Sequence, residues 1–255
     1  MRTLPRARSA ATALALVLLA LVAAGCSSML PPDPVTDQGT DIRQLYDLMF
    51  VIAGVIFVGV EGAIIWAVLR YRRRRSDDGL PPQTHGNMFL EVTWTALPAV
   101  LVLGLFVLSL NTLNKVDAVS AKPDVIVDVT GFQWQWTFEY KDYGLSYTGL
   151  GDKGPVMVLP VGQTVHLRLH SDNVIHSFYV PAFLFKRDVI PGQNNNFDLR
   201  IDQPGVYSGQ CAQLCGLGHY RMRGYVTVES AEDFKKWMDE QEAQLGGSAE
   251  ESIWR

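Results

Sequence analysis

The chain has 255 residues, of which 48% are hydrophobic and 19% are charged, and its formal net charge is −4. The charge is unevenly spread: residues 113–255 hold 13 lysines and arginines against 18 aspartates and glutamates, a net charge of −5. Binding to nucleic acid requires a basic face, so this mildly acidic part excludes that class of function. It suits a basic protein partner instead.

The first residues have the pattern of a signal for export. Three arginines precede an apolar run, residues 10–24, which ends in the sequence A-A-G-C. A basic start, an apolar middle and small residues before the cleavage point are typical of secreted proteins, and the cysteine resembles that of lipoprotein signals. We therefore expect residues 1–25 to be a lipoprotein-type signal peptide and Cys26 to be lipidated. The alternatives are a plain secretory signal or an uncleaved anchor, with Cys26 incidental. Residues 26–40, rich in proline and polar residues, are predicted to form a tether.

Two apolar stretches then predict a transmembrane hairpin over residues 41–112. Residues 45–69 and 89–110 are each long enough to cross a hydrocarbon core of about 30 Å. The sequence R-Y-R-R-R-R after the first stretch marks the cytoplasmic side by the positive-inside rule. Both outer ends of the hairpin are therefore expected outside, in agreement with an exported N-terminus. Glu61 is a charge within the first span, which usually faces a protein partner.

From residue 123 onward the hydrophobic pattern has a period of two, with turns between short runs, which predicts a β-sandwich or Greek-key barrel over residues 113–230. Trp134 and Trp136 alternate on one predicted strand, so we expect them to point the same way. His166 and His170 share the polar side of another strand and are predicted to be solvated. Residues 231–255 are predicted to form a C-terminal helix, over about 231–244, and a tail.

The stretch Q-C-A-Q-L-C-G-L-G-H-Y-R-M-R, residues 210–223, concentrates four soft or borderline metal ligands: Cys211, Cys215, His219 and Met222. Thiolate, imidazole and thioether together favour copper over magnesium or calcium. A disulfide is the simplest alternative in an exported protein, but it would leave the histidine and the methionine unexplained. Zinc is a second alternative, for which methionine is a poor ligand.

The number of cysteines bears on the kind of copper site. A mononuclear blue copper site uses one cysteine, whereas two thiolates can each bridge two copper ions, with one histidine terminal to each ion. The second histidine must then come from elsewhere. His176, at a predicted strand end in N-V-I-H-S-F-Y-V-P, is the best candidate. His85 is expected on the other side of the membrane.

The motif C-A-Q-L-C-G-L-G-H-Y-R-M, preceded by V-I-H-S-F-Y-V-P and K-R-D-V-I-P-G, resembles subunit II of haem–copper cytochrome c oxidases. The stretches H-G-N-M-F-L-E-V-T-W-T-A-L-P and G-F-Q-W-Q-W extend the resemblance over nearly the whole chain after residue 40. The resemblance implies a cupredoxin domain with a binuclear CuA centre. Its implied ligands are His176, Cys211, Cys215, His219, Met222 and the backbone carbonyl of Gln213.

The resemblance also implies roles outside the copper site. Trp134 matches the aromatic residue that receives electrons from cytochrome c, and Glu91 matches a carboxylate near the mouth of a proton-uptake path into subunit I. Gln213 stands where the family usually has a glutamate that helps to bind magnesium. Because an amide is a weaker ligand for that hard cation, copper is expected and magnesium is doubtful.

The implied function is electron input from cytochrome c to haem in subunit I, where oxygen is reduced and protons are pumped. The implied partners are subunit I, the other oxidase subunits and cytochrome c. The implied location is the bacterial plasma membrane, with the copper domain on the outer face. The sequence holds no C-x-x-C-H haem-attachment motif, so the donor cytochrome is expected to be a separate protein.

Three other functions compete with this one. A quinol oxidase subunit would share the fold without copper, and the intact cysteine pair argues against it. A copper-delivery or storage lipoprotein would not need the hairpin. The copper subunit of a nitric oxide reductase stays open.

Overall fold

The computed structural model of the chain describes residues 31–72, 83, 85–149 and 155–253. The predicted signal peptide and the lipidation site Cys26 lie outside the described residues, as does most of the loop between the two predicted spans.

Two long apolar helices come first in the described part of the chain: α1 from Asp37 to Tyr71 and α2 from Met88 to Val116. Each contains one of the predicted spans. The most apolar windows of the two helices have mean hydropathies of 2.5 and 2.1, and none of either window is buried inside the protein. A helix pairs its backbone polar groups internally, which is the condition for crossing a bilayer. The exposed apolar side chains are therefore available to lipid or to other subunits.

The helices form an antiparallel hairpin. Thr36 caps α1 and Asn87 caps α2, each through a side-chain oxygen that accepts the backbone N–H three residues on. Such caps satisfy N–H groups that have no partner within the helix. The two helices contact each other. Lys115 in the last turn of α2 has its Nζ 2.8 Å from Asp41 Oδ1 near the start of α1, which places the outer ends of the hairpin together.

A β-sandwich follows, with two five-stranded sheets among the described residues. Its strands are β1 (Val125–Phe132), β2 (Gln135–Tyr140), β3 (Leu145–Gly149), β4 (Val156–Pro160), β5 (Thr164–Ser171), β6 (His176–Tyr179), β7 (Lys186–Val189), β8 (Asn195–Arg200), β9 (Gly205–Cys211) and β10 (Arg223–Glu229). The first sheet has the order β3-β2-β1-β5-β8 and the second has the order β4-β10-β9-β6-β7. The β1–β5 and β4–β10 pairs are parallel, whereas the other pairs are antiparallel. The predicted sandwich is confirmed, and its fold is cupredoxin-like.

The core lies between the two sheets. In β5, buried residues alternate with partly exposed ones along the whole strand, as expected for a strand with one face on a core. Trp136 and Phe138 of the first sheet meet Phe178 of the second edge to face, with ring centroids 5.8 and 6.3 Å apart. All three rings are at least nine-tenths buried. This aromatic layer fixes the sheets relative to each other and reaches the end of the sandwich that carries His176.

Residues 35 and 36, which the sequence placed in the tether, are folded against the sandwich. The Val35 N–H donates to the carbonyl of Ala182 at 3.4 Å, and the Val35 carbonyl accepts from the Asp202 N–H at 2.9 Å. Thr36 is fully buried and forms an antiparallel bridge with Ile201. The tether prediction missed these contacts because they depend on residues about 150 positions away. As a result α1 begins at Asp37, directly after a segment that is held by the β domain.

A third helix, α3, closes the chain from Ala231 to Ile253, so it is longer than the 231–244 that the sequence predicted. Ser230 Oγ accepts the N–H of Asp233 at 3.0 Å, the cap that the sequence indicated. Trp237 packs its ring against Tyr140 and Tyr147, at 5.7 Å from each. The helix is therefore anchored on both sheets, since it also contacts β4 and β10 of the second sheet.

Candidate metal centre

The ligand-rich stretch forms a loop between two paired strands. β9 ends at Cys211, and β10 begins one residue after Met222. The Cys211 N–H donates to the Met222 carbonyl at 2.9 Å, which closes the loop at its base. A short 3-10 helix, His219–Arg221, turns the chain back toward β10. The antiparallel pairing of the two strands thus returns the methionine to the level of the first cysteine.

The two thiols lie side by side without a bond between them. Cys211 Sγ and Cys215 Sγ are 3.9 Å apart, and both residues are free and buried. A disulfide bond is about 2.05 Å long, so the pair is reduced here. The alternative of a disulfide therefore does not describe this structure.

One histidine from β6 and one from the loop itself lie next to the sulfur atoms. His176 is fully buried at the start of β6, and its Nδ1 is 3.9 Å from Cys211 Sγ. β6 pairs with β9, with Phe178 opposite Cys211, and this register holds His176 beside the loop. His219 Nδ1 is 3.6 Å from Cys215 Sγ. Each thiol therefore has one imidazole next to it.

Two further donors complete the cluster. Met222 Sδ, fully buried, lies 4.0 Å from Cys215 Sγ. The backbone carbonyl of Gln213 lies 3.3 Å from Cys211 Sγ, while the side chain of Gln213 points to solvent. The structure thus brings together, in one cluster, all six groups that the resemblance to the oxidase family implies as copper ligands.

The spacing of these donors fits metal ions. Neighbouring donor atoms lie 3.3 to 4.0 Å apart. Donors bound at about 2.0–2.3 Å in a tetrahedral arrangement lie roughly 3.3–3.8 Å from one another. His176, Cys211 and Cys215 have their ligand atoms within 4.8 Å of one another, a group that could hold a metal ion. The soft sulfur donors and the thioether favour copper over zinc.

A bound cation would offset the cost of ionising the buried thiols. Burial, and then the neighbouring Cys211, raises the pKa of the Cys215 thiol to about 12. Burial, and then the charge of nearby His219, lowers the pKa of His176, which keeps this imidazole in the neutral form that binds metals. A buried thiolate is unfavourable without a compensating positive charge. The donor set therefore suits a bound cation, which would stabilise the thiolate form of the cysteines.

Trp134 does not lie on a strand, although the alternating pattern of the sequence predicts that it does. The sequence predicted that Trp134 and Trp136 point the same way, but Trp134 lies in the turn between β1 and β2, whereas Trp136 lies in β2 and is buried in the core. The alternation predicted for one continuous strand is broken by this turn. Trp134 is half-buried and packs against the loop that carries the cysteines.

The β1–β2 turn is joined to the loop by two hydrogen bonds. The Cys215 carbonyl accepts from Gln133 Nε2 at 2.8 Å and from Trp134 Nε1 at 3.2 Å. At Gly218 a Cβ atom would lie 2.4 Å from the Trp134 indole, so only glycine lets the two segments approach this closely. The sequence reasoning missed Gln133 and Gly218. The glycines within the motif were the only signal for such a close approach.

The remaining histidines lie outside this centre. His166 Nδ1 is 2.7 Å from Asp198 Oδ1 and is mostly buried, so it is not the solvated side chain that the sequence predicted. The carboxylate of Asp198 on the adjacent strand β8 holds it. His170 is more exposed and lies 3.2 Å from Thr130 Oγ1. His85 precedes α2, a helix of 29 residues whose other end leads to the β domain.

Glu91 lies in the first turn of α2, far along the chain from the metal loop. Its Oε1 accepts the backbone N–H of Asn87 at 3.2 Å, while Asn87 Oδ1 accepts the N–H of Leu90. This reciprocal arrangement is a helix cap. The structure therefore gives Glu91 a local structural role, which the sequence reasoning did not foresee.

The architecture and the donor set define a class of protein. A cupredoxin-like domain with buried cysteine, histidine and methionine donors is carried on two helices long and apolar enough to cross a membrane. This combination is typical of cupredoxin-type domains that bind a metal ion and are anchored in a membrane.

Comparison with known proteins gives the particular family. Residues 27–112 match the sequence model of the cytochrome c oxidase subunit II transmembrane domain, and residues 150–230 match that of its periplasmic domain. The chain is 34% identical to the probable cytochrome c oxidase subunit 2 of Streptomyces avermitilis, over 91% of this chain and 86% of the relative. It is 32% identical to the cytochrome c oxidase subunit 2 of Alkalihalophilus pseudofirmus, over 93% and 70%. The chain belongs to the cytochrome c oxidase subunit II family and is a subunit of an oxidoreductase.

Among solved structures, the chain is similar to the periplasmic domain of subunit II of cytochrome oxidase from Bradyrhizobium japonicum. The sequence identity is 31%, the match covers 49% of this chain and 99% of that one, and the TM-score is 0.46.

Proposed function

We propose that the chain is the electron-input subunit of a respiratory cytochrome c oxidase. It accepts electrons from cytochrome c at a binuclear CuA centre and passes them to haem in subunit I, where oxygen is reduced and proton pumping is driven. The observation that carries the proposal is the pair of free, buried thiols 3.9 Å apart with one imidazole beside each. Two copper ions held there would supply a one-electron couple shared between both metals and both thiolates.

The residues of the chain prepare the site for electron transfer in three ways. The short loop closed by the Cys211–Met222 hydrogen bond holds the donors in place, which keeps structural change on a redox step small. The two cysteines are each at least nine-tenths buried, which excludes water from the sulfur atoms. Met222 supplies a weak thioether contact, of the kind that tunes a copper potential.

Trp134 is proposed as the residue through which electrons arrive. Its indole is half-exposed at the surface, and its Nε1 is hydrogen-bonded to the backbone of Cys215. An electron that reaches the ring is one hydrogen bond away from a ligand residue. Leu217, 92% exposed, lies on the same loop and adds apolar surface where a protein donor can dock. The acidic balance of residues 113–255 suits a basic cytochrome c.

Three further roles belong to the proposal. The two helices insert into the bacterial plasma membrane, with the copper domain on the outer face and Cys26 lipidated. Glu91 marks the entrance of a proton path in addition to capping α2. Magnesium at the boundary with subunit I is weakened or lost because Gln213 offers an amide and not a carboxylate.

The test is to express the full-length chain, solubilise it in detergent, load it with copper and measure the metal content and the paramagnetic resonance spectrum. About two copper ions per chain and one unpaired electron shared over both nuclei are expected from this donor set. His176→Ala should abolish that spectrum. His170→Ala is the matched control, because this exposed histidine lies on the outer face of β5, and it should leave the spectrum unchanged. A single copper with a blue-copper spectrum would contradict the binuclear centre.

The catalytic part of the proposal is tested in the assembled complex. Membranes containing the chain and its partners should consume oxygen with reduced cytochrome c, and the Cys215→Ser variant should not. Reduction of nitric oxide without oxygen consumption would assign the chain to a nitric oxide reductase instead.

A further inference from the structure

Glu61 is a carboxylate in the apolar part of α1 that nothing in the described part of the chain accounts for. Among the described residues it makes no hydrogen bond and no ion pair, and it is exposed. It lies nine residues before Arg70, the basic residue in the last turn of α1, which is a distance of about 14 Å along the helix. A hydrocarbon core is about 30 Å thick, so Glu61 is close to the middle of the bilayer.

Within the described part of the hairpin, α2 does not supply a partner for Glu61, because the carboxylate lies on the other side of α1. Leu45 and Ile52, one heptad apart, are half-buried, and because α1 contacts α2 we infer that α2 packs on this side. Glu61 follows Ile52 by nine residues. At about 100° per residue this is about two and a half turns, so the two side chains lie on opposite sides of the helix axis. The carboxylate therefore points away from α2.

The same outward face offers room for another helix. Gly54 precedes Glu61 by seven residues, so it lies within about 20° of it around the axis. A Cβ atom at Gly54 would meet nothing within 4 Å. Val58, between them on this face, is 69% exposed. Small residues of this kind let the backbones of membrane helices approach closely.

A carboxyl group on this face is costly in lipid. Glutamate is too short to reach the headgroups from this depth, and ionisable residues within spans face protein or water-filled cavities almost without exception. The favourable surrounding for Glu61 is a hydrogen-bond donor carried at the same depth by another membrane-embedded protein.

We propose that the face of α1 formed by Gly54, Val58 and Glu61 is the docking surface for a transmembrane helix of another subunit, which donates a hydrogen bond to the Glu61 carboxyl group. The inference rests on the proposed function in so far as the chain assembles into a membrane complex. Beyond that function, the inference specifies which face of α1 makes the contact, names Glu61 as the central residue, and requires a hydrogen-bond donor on the partner helix.

The first test locates the partner by photo-cross-linking in native membranes. A benzophenone amino acid is placed at Val58, on the proposed face, or at Val60, which lies about 100° to the side of Glu61 and is also exposed. A protein adduct from position 58 that is much stronger than that from position 60 supports the proposal. Lipid adducts alone at position 58, or equal protein adducts at both positions, would overturn it.

The second test asks whether a substitution at Glu61 lowers or raises the amount of assembled complex. If Glu61 faced lipid, Glu61→Leu would leave the amount of assembled complex unchanged or raise it, because a costly group is removed from hydrocarbon. If it faces a donor on a partner, Glu61→Leu lowers the amount of partner that co-purifies with the tagged chain, by roughly threefold for one lost interhelical hydrogen bond. Glu61→Gln, which still accepts a hydrogen bond, should retain most of the partner, and Val60→Leu is the control for a lateral change. Unchanged or increased assembly of Glu61→Leu overturns the proposal.

The copper content of each variant is measured in the same preparations. The β domain that carries the metal loop is separate from this part of α1, so Glu61→Leu should keep the copper spectrum of the parent chain. A chain that holds copper normally but shows no loss of partner contradicts the docking surface alone. A parent chain without copper contradicts the proposed function and leaves the cross-linking result to be judged by itself.

Discussion

The indole Nε1 of Trp134 donates a hydrogen bond to the backbone carbonyl of Cys215, with a distance of 3.2 Å between the two atoms. The two residues are 81 positions apart in the chain, and one lies in a turn of the first sheet while the other lies in the loop of the second. The same carbonyl accepts from Gln133 Nε2. A half-exposed aromatic ring is thereby joined directly to a residue whose thiol belongs to the candidate metal centre.

Replacing Trp134 by phenylalanine removes the Nε1 donor while it keeps an aromatic ring. We expect electron input from cytochrome c to slow by roughly tenfold, equivalent to about 1.4 kcal/mol in the barrier. The paramagnetic spectrum of the copper should stay the same, since no ligand atom is changed. Stopped-flow mixing with reduced cytochrome c measures the rate.

Trp237→Phe is the control for this substitution. Trp237 belongs to α3 and packs on Tyr140 and Tyr147, away from the metal loop. It should leave the rate of electron input unchanged. Equal rates for the parent and for Trp134→Phe would contradict the role proposed for Trp134.

Gly218→Ala tests the close approach between the turn and the loop. The new Cβ atom would lie 2.4 Å from the indole of Trp134, so the ring or the loop must move. We expect a loss of about 1–3 kcal/mol in the free energy of unfolding, the usual range for overpacking. Electron input should slow as well, because the hydrogen bond to Cys215 is displaced.

Gly209→Ala is the matched control in the adjoining strand β9. There a Cβ atom would have no neighbour closer than 3.4 Å, which is ordinary contact. Denaturant unfolding of the three proteins measures the difference. If Gly218→Ala is no less stable than Gly209→Ala, the tight packing against Trp134 is not present in solution.

Copper binding should become tighter as the pH rises. Burial and the adjacent Cys211 raise the pKa of the Cys215 thiol to about 12, so in the metal-free protein this thiol carries its proton at pH 7. Copper must displace that proton, so the affinity should increase by about tenfold per pH unit for each proton displaced. The increase should continue until the pH nears the pKa of the thiol.

Competition with a chelator of known affinity at several pH values below 9 measures this slope, after correction for the protonation of the chelator. Calorimetry in buffers with different ionisation enthalpies counts the protons that are released. An affinity that does not depend on pH would mean that the thiol is already ionised in the metal-free protein.

Gln213→Glu separates the two roles of this position. The backbone carbonyl near Cys211 is unaffected by the side chain, which is exposed, so copper content and spectrum should not change. A carboxylate is a better ligand than an amide for a hard cation. In the assembled complex we therefore expect manganese, used as a spectroscopic substitute for magnesium, to bind roughly tenfold tighter or more. Gln213→Ala should also retain copper, and loss of copper in either variant would show that the side chain matters to the metal loop.

Much of the architecture was predictable from the sequence because its signals are local. The two spans follow from long apolar runs, and the sandwich follows from alternation over short segments. Cys211, Cys215, His219 and Met222 lie within twelve residues, so one loop brings them together whatever the rest of the chain does. His176 could be chosen from the sequence only by its setting at a strand end and by family resemblance.

The predictions that failed concern contacts between distant parts of the chain. Trp134 was placed on a strand because an alternating pattern continues through the turn that separates β1 from β2. The strand pattern predicts a solvated His166, because its partner, Asp198, comes from another strand. The composition of residues 35 and 36 predicts a tether, because it carries no sign of their distant partners Ala182 and Asp202.

The sequence by itself determined the ligand types, their close spacing and the apolar length of the helices, since these depend on neighbouring residues alone. Only the tertiary structure decided that His176 lies beside Cys211 and that the indole of Trp134 is hydrogen-bonded to the backbone of Cys215. The physical reason is that sheet order and strand register bring together residues many positions apart, and a shift of one residue would turn each side chain to the opposite face.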